Sequence, residues 1–297
     1  MAPTLVGVTL LTFVLFNVVS GSPAALVLGK NASAAAIEQY NEMHGYNKPL
    51  PVQYLRFVGE LCRGDFGYSN EYRQPVWQVI REGAWVSLCL TIPILVFGTF
   101  IALMAGLVCA AWSGRFLDRA TLAATTAIMS VNYVVWVAAG QHFLAYRLRL
   151  FPVWGFENWT YLLLPVVIGV LSGLGSDTRL YRTLIMDEIR RPHVRAAISR
   201  GLHPAAVLFR HVLRNSLVTV VTNVSLSVPF LFAGSILLES FYGIPGLGGI
   251  GLNAVNSADA AMVRAVVVIG AVLYQISNLL ADLATAWLDP RVRLYIK

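Results

Sequence analysis

The residue types able to carry chemistry are present in this chain, but they are scattered. His203 and His211 stand eight apart, more than two helical turns, so with His193 they lack the spacing of metal ligands. Cys62, Cys89 and Cys109 are odd in number and form no C-x-x-C; the last two fall in an apolar segment and read as small core residues. No G-x-x-x-x-G-K-[ST], H-E-x-x-H or G-x-S-x-G occurs. Gly246, Gly248 and Gly251 satisfy G-x-G-x-x-G, yet they lie between two apolar runs and not in a βαβ unit, so no nucleotide site is expected there. The sequence therefore predicts no catalytic, cofactor-binding or metal site on this chain. Inside the apolar segments the polar groups are neutral: Asn132, Gln141 and Asn223 either line a pathway or bond to neighbouring helices. An acidic pair suited to proton relay is missing, which counts against an autonomous secondary transporter.

The elements that hold these residues are membrane spans. Of 297 residues, 57% are hydrophobic and 12% charged, and the mean hydropathy is +0.66, too apolar for a soluble domain. The net charge of +7 is spread over loops without the aromatic interleaving of nucleic-acid readers, and anionic lipid headgroups explain it better. About 20 apolar residues cross a bilayer. Six segments meet that need: the run from Ala2, then Trp85 to Ala111, Ala120 to Tyr146, Trp159 to Gly175, Leu217 to Leu238 and Met262 to Leu283. The first has no Lys or Arg before it, so it reads as a span and not a signal peptide. The fold class is thus all-α, a polytopic membrane protein with six transmembrane helices in one domain, 1–297. Two extra-membrane segments, 21–83 and 239–261, follow the first and fifth spans; the former is predicted to hold helices over Ala34 to His44 and Val52 to Leu61.

Six spans place both termini on one side. With the termini in the cytoplasm, the inner segments carry Arg115, Arg119, eight arginines from Arg179 to Arg214, and Arg291, Arg293 and Lys297. The short outer loops carry only Arg147, Arg149 and Arg264, as the positive-inside rule requires. The longest polar interruption in the second half, 187–215, then lies inside. Val194, Ala197 and Ile198 recur at i, i+3, i+4 and predict a helix with a small apolar side. Gly201 is placed to stop it, and His203-Pro204 to start another, with Ala205, Leu208, Phe209, Val212 and Ser216 on one face.

These residues carry a resemblance. Arg195-Ala196-Ala197-x-x-x-Gly201, followed by Leu213-Arg214-Asn215, resembles the cytoplasmic E-A-A-x-x-x-G loop of ABC-importer permeases of the dipeptide/oligopeptide/nickel branch. Arg195 stands where many such permeases have Glu, and Thr219 where Pro is usual. The segments GSPAALVLGKNAS, RLRLFPVWGF, LLESFYGIPGLGGIGLNAV and the terminal Asp289-Pro290-Arg291 with Arg293 are similar to the same branch, in the same order. The resemblance implies the ABC type I importer permease fold. It implies a bacterial inner membrane location and a translocation path shared with a second homologous permease. It further implies two ATP-binding subunits that carry ATP and Mg and dock on the hairpin through Arg195, Ala196, Ala197, Gly201, His203 and Pro204, and an extracytoplasmic solute-binding protein. Peptides, nickel chelates and other small solutes are the expected cargo. A secondary transporter and a membrane scaffold or insertase are the competing readings.

Overall fold

The computed structural model describes residues 2–19, 33–44, 46–233 and 236–288. The motif at 289–293 and nearly all of GSPAALVLGKNAS lie outside them. Thirteen helices are described: α1 (Ala2–Val14), α2 (Ala34–His44), α3 (Leu50–Cys62), α4 (Val76–Ala111), α5 (Phe116–Ser130), α6 (Tyr133–Gly140), α7 (Thr160–Ile189), α8 (Pro192–Ser199), α9 (Pro204–Ala206), α10 (Arg214–Ala233), α11 (Ile236–Tyr242), α12 (Leu247–Asn256) and α13 (Ala260–Leu288). Wider π turns extend three of them, over Leu15–Val19, Gln141–Arg147 and Val207–Leu213. Among the described residues the exception to all-α is a hairpin of two-residue strands, β1 (Tyr68–Ser69) with β2 (Gln74–Pro75).

Among the described residues, Val76–Ala111, Thr160–Ile189 and Ala260–Leu280 are long and apolar enough to cross a membrane. Pro3–Asn17 is apolar but shorter, and α10 occupies the place of the expected fifth span. Two helices outrun the expected spans. α4 begins nine residues before Trp85, carrying Arg81 and Glu82 on its exposed side while Val76, Val79 and Ile80 are buried. α7 runs past Gly175 to Ile189. Its charged residues do not end it, because Arg182 binds Asp118.

The continuous third span, 120–146, is corrected. α5 and the helix Tyr133–Arg147 meet at an 88° bend, so the pair is a broken span or a re-entrant loop. Val131 is extended (φ −96°, ψ 128°), and Asn132 caps the second helix by accepting the Val134 N–H at 2.9 Å. Ser130 turns its hydroxyl back to Thr126 O at 2.8 Å, a local bond that competes with helix continuation.

The chain forms two compact units. The first comprises Met1–Ser87, Phe232–Glu239 and Pro245–Ile276. Its core joins Val76, Val79 and Ile80 of α4 to Leu247, Ile250 and Ala254 of α12 and to Met262 and Ala265 of α13. Asp259 caps α13 through Met262 N–H (3.1 Å) and also accepts the Ser69 hydroxyl at 2.6 Å, which ties the β-hairpin to the first turn of that helix. Glu239, 1% exposed, accepts Ser87 Oγ–H and Gly249 N–H, each at 2.8 Å, while Ser87 Oγ accepts Leu247 N–H at 2.8 Å. The buried Glu239 side chain thus accepts a first-turn amide at the N-terminus of α12. Gly246 and Gly248, two members of the G-x-G-x-x-G pattern, leave the room: a Cβ at Gly246 would collide with the Glu239 carboxylate. These two glycines serve packing at the start of a helix.

The second unit comprises Leu88–Leu231, Ser240–Ile244 and Ser277–Lys297. α5 and α7 pack so closely that a Cβ on Gly175 would stand 2.8 Å from Thr125 O. Asp118, buried at the start of α5, takes a bidentate pair from Arg182 of α7 (2.8 and 2.9 Å) and the Gly114 N–H at 2.8 Å. Large side chains such as Phe97 and Phe100 are exposed along α4, the surface expected against lipid.

Candidate functional site

The hairpin predicted over 187–215 is present in the second unit, and each of its corners has a local cause. α7 ends at Ile189; Arg191 is extended and Pro192 opens α8, so the missing proline N–H falls where no helical partner exists. α8 ends in a Schellman motif. Gly201 is at φ +76°, its N–H bonds Ile198 O at 2.9 Å, and Leu202 N–H bonds Ala197 O at 3.4 Å. No atom lies within 4 Å of where a Gly201 Cβ would be, so backbone conformation alone calls for glycine. His203 then caps α9, its Nδ1 accepting Ala205 N–H at 3.3 Å, and Pro204 takes the first helical position.

The structure divides the predicted faces differently from the helical period. Val194 and Ala197 are buried against Tyr181 and Ile185 of α7, with Leu103, Leu107 and Ala110 of α4 and Val207 and Val212 in the same cluster. Ile198, expected on that side, is 56% exposed. Of the two alanines, only Ala196 faces outward, together with Arg195, Ser199, Arg200 and Leu202. In the second limb Ala205 and Phe209 are exposed, and the buried face is Val207, Val212 and Ser216. The reason is the π turn over Val207–Leu213, which brings residues five apart onto one side and shifts the 3.6-residue period.

A brace closes the base of the hairpin. Asn215 Nδ2 donates to Glu188 Oε1 at 3.0 Å and lies 3.0 Å from His193 Nε2; Glu188 also pairs with Arg191 (3.2 Å) and His193 (3.2 Å). Sequence reasoning misses Glu188, and only the i, i+3 spacing to Arg191 hints at it.

The three candidate pathway residues also lie in the second unit, and the side chains of Asn132 and Gln141 are hydrogen-bonded there. Asn132 is the exposed helix cap at the bend. Gln141 Nε2 donates to Val153 O (3.0 Å) and Phe241 O (2.7 Å), knotting the start of the π turn after α6 to a loop and to the end of α11. Beside it Tyr242 is buried and donates to Val137 O at 3.2 Å; burial pushes its hydroxyl up to about 12, so it stays a neutral donor. Asn223 is half-buried on α10, where its backbone carbonyl accepts the Ser227 hydroxyl at 3.4 Å. Cys62 is exposed, Cys89 half-buried and Cys109 buried, and all three are free thiols.

Long apolar helices, one further pair sharply bent, and a compact arginine-bearing hairpin between α7 and α10 mark a multi-pass membrane protein. Residues 98–294 match the family described as "Binding-protein-dependent transport system inner membrane component", and residues 2–91 match its N-terminal companion, and the chain belongs to that family. It is 29% identical over 289 residues to a probable peptide ABC transporter permease of Sinorhizobium fredii, covering 95% of this chain and 92% of the relative. To the glutathione transport system permease protein of Escherichia coli it is 28% identical over 293 residues, covering 98% and 95%. Among solved structures, a chain of the methionine ABC transporter MetNI in an inward-facing form superposes with a TM-score of 0.58 at 16% identity, over 72% of this chain and 98% of that one. The fold is that of a type I importer permease, and the protein is the permease subunit of an ABC importer.

Proposed function

We propose that this chain passes peptides or closely related small solutes inward across a bacterial inner membrane, with both termini in the cytoplasm. It would do so paired with a second homologous permease, fed by an extracytoplasmic solute-binding protein and driven by two ATPase subunits that bind ATP and Mg. The observation that carries the reading is the hairpin. α8 is locked inward by Val194 and Ala197, closed by Gly201 and braced at its base by Glu188, His193 and Asn215, while Arg195, Ala196, Ile198 and Arg200 are presented outward. An apolar side chain ringed by arginines suits a docking surface: Ile198 supplies burial and the guanidinium groups supply charge-assisted bonds. Movement of a docked ATPase would pass directly to α7 and α10, the helices that flank the hairpin. Relatives that carry peptide and glutathione in their names support the cargo class.

The test is assembly and cross-linking. In the complete importer, Ile198→Cys should form a cross-link to an ATPase subunit that depends on nucleotide state, and solute-loaded binding protein should stimulate ATP hydrolysis. A complete, ATP-hydrolysing assembly in which position 198 reaches no ATPase would remove the docking role. Ion-driven uptake by this chain alone in liposomes would remove the importer reading.

A further inference from the structure

The first unit holds a polar cavity that the hairpin reading does not use. It has a volume of about 320 Å³, at the small end of the range for ligand sites, about 300–1,000 Å³. Tyr46, Phe57, Phe66 and Tyr68 give it aromatic walls, and Glu60, Asp65 and Arg264 give it charge. A smaller recess of about 40 Å³ shares Tyr46, Phe57, Glu60 and Arg264 and adds Arg56.

Its walls are fixed by separate local devices. After α3 the chain turns at Gly64 and Gly67, both at positive φ, and Asp65 accepts the Gly67 N–H at 3.1 Å. The β-hairpin that follows is bound through Ser69 to Asp259, the cap of α13, and Arg264 projects from the next turn of that helix. Arg264 Nε donates to Ala260 O at 3.2 Å. The charges are not matched inside the cavity. Glu60 is held by Arg56 at 3.0 Å, but among the described residues neither Arg264 nor Asp65 makes an ion pair. A guanidinium and a carboxylate that share a partly enclosed cavity without neutralising each other favour a ligand that brings the opposite charge to each.

We propose that this cavity binds a small zwitterion, an amino acid or short peptide. Its carboxylate pairs with Arg264, and its ammonium pairs with Asp65 among the rings of Tyr46, Phe66 and Tyr68, whose faces attract a cation. The charge pattern stands by itself; the inference rests on the peptide-importer reading only in taking the zwitterion to be cargo.

The experiment uses the full chain assembled with its partner permease and ATPase subunits in nanodiscs, without binding protein or ATP. The probes are labelled L-alanyl-L-alanine, its N-acetyl derivative and its C-terminal amide. Dialanine should bind saturably, and each blocked probe should bind about 10- to 100-fold more weakly, the loss of one charge-assisted contact. Arg264→Gln and Asp65→Asn should each weaken dialanine by a similar factor, while Arg264→Gln leaves the amide probe unchanged and Asp65→Asn leaves the acetyl probe unchanged. Arg264→Lys, which keeps the charge, should lie between, and serves as the readout if Arg264→Gln does not assemble. Absence of saturable dialanine binding up to about 10 mM, a limit set by the weakest useful affinity, overturns the proposal. Equal binding of dialanine and its acetyl derivative overturns the ammonium assignment. ATP-driven peptide uptake without binding here sinks this inference and leaves the importer standing. Charge-dependent binding here with no ATP-driven uptake sinks the importer reading and leaves the cavity.

Discussion

Replacing Gly201 tests whether the hairpin acts through its shape. The residue sits at φ +76° with open space around its missing Cβ, so a side chain meets no neighbour and only the left-handed backbone is disfavoured. That conformation costs an L-residue about 1–2 kcal/mol, with valine at the upper end and asparagine, which tolerates it, at the lower. The chain can escape the strain by abandoning the Schellman motif, which forfeits the Gly201 and Leu202 amide bonds at about 1 kcal/mol each. Either route caps the effect near 2 kcal/mol, about 30-fold in the population of correctly closed hairpin, yet small beside a global stability of about 5–15 kcal/mol. Membrane assembly should therefore survive in every variant. Solute-stimulated ATP hydrolysis and uptake should fall from the wild type through Gly201→Asn and Gly201→Ala to Gly201→Val, and amide exchange over 190–203 should rise in the same order. If Gly201→Asn is as damaging as Gly201→Val while exchange stays at the wild-type rate, strain is not the cause and a partner needs bare backbone at that point. If Gly201→Val leaves both exchange and uptake unchanged, the reasoning fails altogether.

Other perturbations separate the remaining parts. Arg182→Gln strands the buried Asp118 and should cost about 3–5 kcal/mol, seen as a lower melting temperature in nanodiscs; the double variant with Asp118→Asn should recover much of it. Gly246→Ala drives a methyl into the Glu239 carboxylate and should cost about 1–3 kcal/mol in the same assay, whereas Gly270→Ala, with nothing within 4 Å, should be close to neutral. His203→Asn should preserve the cap on α9 and His203→Ala should lose about 1 kcal/mol, read by amide exchange over 203–208. Asn215→Ala should ease hairpin opening by about 1–3 kcal/mol, since Glu188 loses a donor, with exchange at both bases of the hairpin rising together.

Features with a local cause can be read from the chain. Gly201, Pro204 and the helices expected over 34–44 and 52–61 depend on backbone chemistry within a few residues, and they fall within two residues of where sequence places them. Helix ends and faces depend on distant partners. α4 and α7 look shorter in sequence than they are because Arg81, Glu82 and Arg182 resemble boundaries, and nothing in the sequence says that Arg182 will meet Asp118, 64 residues earlier. Glu239 reads as the charge that ends a span. Its hydroxyl donor is 152 residues away, and its glycine-made niche is visible only in three dimensions. The helical period mis-phases the inward and outward faces of the second limb because a π turn leaves no mark that such a period can detect. Asn132 stands out in sequence as a polar residue within an apolar run, and the structure makes it the cap at an 88° bend that hydropathy reads as unbroken.

The Glu188–His193–Asn215 knot has a mechanical corollary. If the tip docks as proposed, two limbs fastened at their base would resist spreading, and a push at the tip would be delivered as a tilt of α7 and α10 together. Under that proposal, two hydrogen-bonded side chains and one imidazole would decide whether the tip works as a crowbar or as a loose flap.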